Sequence, residues 1–185
     1  MVDDVSREGV KILLSAVHTL HRMSDDFDVR VDKLTLWHVT IPSAAYKDSY
    51  PTLFEQLEEN KRLYSTGDSG IVLELQFPYT FPNDPPMVRV VRPRFEYMTG
   101  HVTIGGSLCA QFLTASGWTA QMPMESLLLS VRNLFIDGNA QVANHASDYH
   151  PIPHLDYGFD EARIAFKRAV ETHGWGTPTK KMRTA

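Results

Sequence analysis

Four prolines within nine positions restrict the fold of this chain more than any other local feature. They are Pro78, Pro82, Pro85 and Pro86. Proline lacks a backbone donor and fixes φ, so this segment cannot be a helix or a central strand. The flanking runs at 71–77 and 87–91 have the composition of strands. We therefore predict two strands joined by a stiff, extended loop, with a cis peptide bond at Pro85–Pro86 or a neighbouring position.

The spacing of apolar residues divides the rest of the chain into helices and strands. A 3.6-residue period predicts a first helix with Val10, Leu13, Leu14, Val17 and Leu20 on its apolar face. A period of two over 28–41 predicts a strand pair with a turn near Asp32–Lys33. Amphipathic patterns predict two later helices, one with Pro123 in its first turn and one that starts near Phe159.

A long connection separates the second predicted strand from the third. Within it, Thr52 and Glu55 fit a capping box, and apolar residues then recur at helical spacing, so we predict a helix at about 52–64. A turn at 66–70 returns the chain to the sheet.

The predicted fold is α+β, with an N-terminal helix, a four-stranded antiparallel sheet that carries a helical insert, and C-terminal helices. Residues 139–158 are polar and are predicted to form a loop with a helical turn near 140–146.

Bulk composition limits the class of protein. The 185 residues are 43% apolar and 22% charged, which fits one globular domain. The net charge of −4 argues against a nucleic-acid partner. No apolar run approaches the length of a membrane span, so we expect no membrane partner. An acidic start without a secretory signal pattern, together with a single cysteine, predicts a cytoplasmic or nuclear protein.

That single cysteine, Cys109, is the first candidate for chemistry. A thiol is the most nucleophilic ordinary side chain near neutral pH. Gly105 and Gly106 precede it, in a stretch over 92–108 without a regular pattern, and long irregular segments are often functional. On residue type alone, however, a lone cysteine in apolar surroundings is more often a small buried residue than a nucleophile.

A set of motifs decides between these interpretations. They are Phe-Pro-Asn-Asp-Pro-Pro-Met at 81–87, Gly-Gly-Ser-Leu-Cys at 105–109, Leu-Thr-Ala-Ser-Gly-Trp at 113–118 and Gly-Trp-Gly-Thr-Pro at 174–178. Their order and spacing resemble the ubiquitin-conjugating enzyme family, and most closely its Q subfamily. The resemblance implies one ubiquitin-conjugating catalytic core domain over residues 1–178, followed by a basic flexible tail at 179–185.

The resemblance also implies a reaction. Cys109 would accept ubiquitin, or a ubiquitin-like modifier, from a ubiquitin-activating enzyme as a thioester, and pass it to a substrate lysine or to a ubiquitin ligase. Because the donor is already a thioester, the thiol needs only modest activation, and no adjacent base is obligatory. The resemblance implies neither a cofactor nor a metal ion.

One departure from the family pattern concerns the second candidate, His101. Most members carry His-Pro-Asn upstream of the cysteine, whereas this chain has Thr99-Gly100-His101, with His101 at the Asn position. His101 can donate an N–H to a developing oxyanion, or it can only buttress the turn. Trp118 resembles a tryptophan beside the family's groove, where packing is the expected role. The resemblance also makes Asp137 and Asp148 candidates for the acidic residue that, in relatives, lies near the incoming substrate lysine.

Three competing hypotheses remain. A non-catalytic ubiquitin-binding scaffold would share the fold, although such variants typically lack the cysteine. A Cys/His hydrolase would pair Cys109 with His101, but no orienting third residue is visible. A metal site would use His145, His150 and His154, yet their spacing does not place them on one helix face, so solvated loop histidines are expected.

Overall fold

A four-stranded sheet and four α-helices make up the part of the chain that the computed structural model describes, residues 5–65 and 70–176. The helices are α1 (Arg7–His21), α2 (Pro51–Tyr64), α3 (Met124–Asp137) and α4 (Phe159–His173). The strands are β1 (Asp28–Lys33), β2 (Leu36–Pro42), β3 (Gly70–Gln76) and β4 (Met87–Arg92). Short 3₁₀ turns lie at Ser43–Tyr46 and Gln111–Leu113. The predicted α+β fold is confirmed.

The sheet has the order β1-β2-β3-β4, and every neighbouring pair is antiparallel. Side chains alternate between its two faces, as the period of two requires. On β2, Trp37, Val39 and Ile41 are fully buried in the core, whereas the residues between them are partly exposed. Large buried side chains from α1, α2 and α3 complete this core.

Charged residues form a row across the other face of the sheet. Arg30, His38, Glu74 and Arg89 are register partners on successive strands. Arg89 donates from Nε to Glu74 Oε1 at 2.8 Å, and its side chain is 8% exposed. His38 Nδ1 lies 2.7 Å from the Asp32 carboxylate. This row therefore links the edge strand β1 to β4 through polar side-chain contacts, among them the Arg89–Glu74 ion pair.

The far edge of β4 determines where the irregular segment of the chain lies. Val90 N–H donates to Gly106 O at 2.8 Å, and Arg89 forms an isolated bridge with Ser107. These contacts dock the segment that contains Cys109 against the sheet.

Four local predictions are wrong in detail. Leu14 is 60% exposed, because the buried face of α1 consists of Gly9, Leu13, Ala16 and Leu20. The predicted capping box at Thr52 does not form: α2 begins at Pro51, whose position in the first turn needs no N–H partner. The turn between β1 and β2 falls at 34–35, after Asp32–Lys33. Residues 140–146 form no helical turn, because Val142 bridges to Phe95 in an extended conformation.

The proline-rich loop has the predicted irregular conformation, but the cis bond is not at Pro85–Pro86. Cis peptide bonds occur at Phe81–Pro82 and Arg92–Pro93. The predicted acidic start at 1–4, most of the turn at 66–70 and the basic tail at 179–185 lie outside the described residues. None of the described helices combines the length and hydropathy that a membrane crossing requires.

Candidate active site

Cys109 lies at the end of the irregular segment that follows β4. Two short passes of this segment run antiparallel, with Val102 bridged to Leu108. Cys109 N–H donates to His101 O at 2.8 Å, and Thr103 N–H donates to Ser107 O at 2.9 Å. The backbone therefore brings together the two predicted site residues, Cys109 and His101.

The turn that carries His101 has an unusual backbone. Met98, Gly100 and His101 have φ values of 61°, 63° and 54°. Gly100 N–H donates to Gly138 O at 2.8 Å, so the turn rests on the C-terminal end of α3. A Cβ added at Gly138 would lie 2.7 Å from His101 N, which shows how closely the two backbones approach. Only glycine fits at position 138 without displacing the turn.

A groove of about 420 Å³ opens beside the cysteine. Its lining includes Cys109, His101 and Ile104, together with α4 residues such as Ala165 and Arg168. The residue that bears the thiol thus forms part of the wall of a surface groove. No sequence pattern predicted that α4 would contribute to this site.

The environment of Cys109 disfavours the thiolate. The residue is partly buried, and this desolvation raises the pKa of its thiol above the ordinary value. The thiol is therefore predominantly protonated at neutral pH and differs from the strongly activated cysteines of thiol proteases.

Tyr157 anchors the start of α4 to the cysteine-bearing segment. Its hydroxyl accepts a hydrogen bond from Phe95 N–H at 2.9 Å, and its backbone N–H donates to Val91 O at 2.8 Å. The ring packs against Gly106, where an added Cβ would lie 2.4 Å from Tyr157 Cγ. Burial raises the pKa of Tyr157 to about 12, so the hydroxyl stays protonated.

An ion pair reinforces this anchor. Arg94 donates two hydrogen bonds to the Glu161 carboxylate, at 2.9 and 3.2 Å, and its guanidinium stacks 4.3 Å from the Tyr157 ring centroid. Desolvation raises the pKa of Glu161, but hydrogen bonds from Arg94 and from Gly158 N–H outweigh it and hold the pKa below its usual range. Neither partner was predicted from the sequence, because a pair 67 positions apart leaves no local pattern.

The remaining candidates lie away from the groove. Trp118 donates from Nε1 to Pro82 O at 2.7 Å and packs near Phe81, which confirms the expected packing role. Asp137 and Asp148 are exposed, and neither is among the described residues that line the groove.

The three loop histidines do not converge. His145 and His154 are exposed, whereas His150 is 1% exposed and its Nε2 donates to Phe95 O at 2.7 Å. The expectation of a solvated histidine is therefore wrong for His150, which has a structural role. Across 5–65 and 70–176, no group of three or more His, Cys, Asp or Glu side chains is placed to hold a metal ion.

Comparisons with known proteins add independent information. The family model for ubiquitin-conjugating enzyme matches residues 60–161. The chain is 29% identical over 171 residues to the Homo sapiens ubiquitin-conjugating enzyme E2 Q-like protein 1, covering 89% of this chain and 97% of that protein. It is 29% identical over 153 residues to Homo sapiens ubiquitin-conjugating enzyme E2 Q1, covering 81% of this chain and 33% of that protein.

A solved structure extends the comparison to the fold. The structure of human ubiquitin-conjugating enzyme E2 G1 superposes with a TM-score of 0.52 at 20% identity, covering 72% of this chain and 98% of that one. At this identity the match supports the architecture alone, because one fold can host several functions.

Proposed function

This chain belongs to the ubiquitin-conjugating enzyme family, in its Q subfamily, and we propose that it carries ubiquitin as a thioester on Cys109. Its partners would then be ubiquitin, a ubiquitin-activating enzyme and a ligase or substrate. The observation that carries the proposal is the position of Cys109: the chain's single thiol lies at an open groove, in the glycine-flanked segment that the family resemblance singles out.

The proposed reaction has two steps. In the first, Cys109 Sγ attacks the carbonyl carbon of the thioester on the activating enzyme; a new C–S bond forms, the old C–S bond breaks, and the departing thiol takes up the proton that Cys109 releases. In the second, a substrate amine attacks the new thioester, an amide bond forms, and Cys109 leaves as a thiol. Because a thioester is an activated acyl donor, a small thiolate fraction of Cys109 suffices for this attack even though burial raises the pKa of the thiol.

Each step passes through a tetrahedral oxyanion, which needs a hydrogen-bond donor. Cys109 N–H already donates a hydrogen bond to His101 O, so this amide is not free to donate to the oxyanion. The His101 side chain is exposed and lines the same groove as the thiol. We assign its imidazole N–H as the donor, in the place of the asparagine amide of other family members.

Thioester charging tests the first step. The protein is mixed with ubiquitin, ATP and ubiquitin-activating enzyme and resolved on a non-reducing gel. The expected product is an adduct that thiol reductant removes and that Cys109→Ala abolishes, whereas Cys109→Ser gives at most an oxygen ester that resists reductant. Ubiquitin binding without an adduct would instead support the scaffold hypothesis.

Discharge of the charged protein to an amine tests His101. Removing one oxyanion donor typically lowers kcat by about 10²-fold or more, so His101→Ala is expected to slow discharge strongly without changing the KM for the amine. His101→Asn keeps an N–H donor and is expected to retain most of the rate. Equal rates for all three proteins would show that His101 only buttresses the turn.

A further inference from the structure

The inserted helix α2 reaches the segment that follows α3. Gln56 Nε2 donates to Gln141 Oε1 at 2.7 Å, and Val142 N–H donates to Gln56 Oε1 at 2.9 Å. Gln141 Nε2 in turn donates to the hydroxyl of Tyr50, the residue just before α2, at 3.0 Å. The side-chain amides of Gln56 and Gln141 therefore form hydrogen bonds that join α2, and Tyr50 just before it, to residues 141–142.

The same segment holds the turn that carries His101. Gln141 N–H donates to Thr99 Oγ1 at 3.1 Å, and Thr99 Oγ1 donates to Glu96 O at 2.9 Å. Glu96 N–H closes the arrangement by donating to Gln141 O at 2.8 Å. Side-chain and backbone hydrogen bonds therefore form a continuous chain from Gln56 through Gln141 to Thr99, two residues before His101.

This turn needs external support. Met98 and His101 are not glycines, yet both have positive φ values, a conformation that L-residues disfavour and that persists only where the surroundings enforce it. The Gly100 N–H bond to Gly138 O fixes one side of the turn, and the Thr99 hydroxyl fixes the other. We expect loss of the Thr99 side-chain contacts to loosen the turn and to move the carbonyl that receives Cys109 N–H, although backbone hydrogen bonds from Thr99 N–H to Glu96 O and from Val102 N–H to Thr99 O remain.

We propose that α2 is a positioning element for the active-site turn, with Gln56 and Gln141 acting through Thr99. They hold His101 in the conformation in which its carbonyl receives Cys109 N–H and its ring lines the groove. Gln56, Gln141 and Thr99 do not line the groove themselves, so they are positioning residues. The proposal rests on the proposed function, because it adds residues to the same reaction.

Amide hydrogen exchange tests the positioning without any reaction. Thr99→Val removes the hydroxyl at nearly constant shape, Thr99→Ser retains it, and Gln56→Ala cuts the chain at its other end. Tyr64→Phe is the matched control, because Tyr64 also bonds from α2 to this segment but at Asn144 O, beyond Gln141. We expect Cys109 N–H to exchange about tenfold faster in Thr99→Val and Gln56→Ala, with Thr99→Ser and Tyr64→Phe near wild type. Unchanged exchange in Thr99→Val and Gln56→Ala would overturn the proposal.

Single-turnover discharge of the ubiquitin-charged protein tests the consequence for the reaction. The rate constant is expected to fall about fivefold to tenfold in Thr99→Val and Gln56→Ala, a loss typical of a displaced catalytic group, while the KM for the amine stays constant. In a His101→Ala background, Thr99→Val should slow discharge much less than in the wild-type background, because the imidazole that it positions is already absent.

Additive losses, or an unchanged rate, would overturn the role of this chain of hydrogen bonds in the reaction. If the wild-type protein fails to charge at all, the proposed function is refuted, and hydrogen exchange still decides whether α2 holds the turn.

Discussion

Gly106→Ala is the substitution whose effect follows most directly from the geometry. Gly106 has φ +88°, and an added Cβ would lie 2.4 Å from Tyr157 Cγ. Positive φ costs a non-glycine residue about 1–2 kcal/mol. Displacing a packed aromatic ring adds about 1–3 kcal/mol. The sum, about 2–5 kcal/mol, should lower Tm by about 4–20 °C in a protein of this size.

Gly174→Ala is the matched control for this substitution. Gly174, the C-cap of α4, has a similar φ of +67°, but an added Cβ there would meet nothing within 4 Å. Only the conformational cost remains, about 1–2 kcal/mol, or about 2–8 °C in Tm. Calorimetry and urea unfolding followed by circular dichroism would measure both variants. Equal losses of stability would refute the steric argument for contact between Gly106 and Tyr157.

Three further predictions follow from burial and charge. Iodoacetamide should alkylate Cys109 more slowly at neutral pH than it alkylates a free thiol, and the rate should still increase above pH 9.0, because burial raises the pKa of the Cys109 thiol. A rate that reaches a plateau below about pH 8 would contradict this. Glu161→Gln should lower the free energy of unfolding in urea at pH 7. The difference between wild type and variant should shrink below about pH 4, because the pKa of Glu161 is lowered and its carboxylate is protonated only when the pH falls through that pKa. A difference that is constant with pH would exclude the ion pair with Arg94 as its cause. Leu13→Ala should cost about 2–5 kcal/mol and Leu14→Ala about 0.5 kcal/mol or less, since Leu13 is fully buried and Leu14 is 60% exposed; the reverse order would contradict the assigned face of α1.

Periodicity predicted the elements well where one face of a strand or helix is buried. The alternation of Trp37, Val39 and Ile41 on β2 matches their complete burial, because a strand in this sheet exposes one face to the core. On α1 the apolar residues span a wider arc than the contact with α3 and β1 uses, so sequence alone could not decide that Leu14 faces solvent.

The site was predictable only where its residues are close in sequence. His101 and Cys109 belong to one glycine-containing segment, and the motif spacing places them near each other. The groove residues of α4 and the ion pair of Arg94 with Glu161, which is 67 positions away, depend on long-range contacts that only the folded chain reveals. The same holds for His150, whose polar, proline-rich surroundings suggested solvent but which is buried against Phe95.

The two edges of the sheet differ in a way that bears on self-association. The far edge of β4 is covered by the 106–107 segment, whereas β1 is a terminal strand with charged residues at Asp28, Arg30 and Asp32. An exposed edge offers unpaired N–H and C=O groups to other chains, and charges along it oppose that pairing. The charged side chains of Asp28, Arg30 and Asp32 thus give β1 a second role: within the described part of the chain β1 is the outer strand of the sheet, and its charges oppose intermolecular strand addition and hence aggregation.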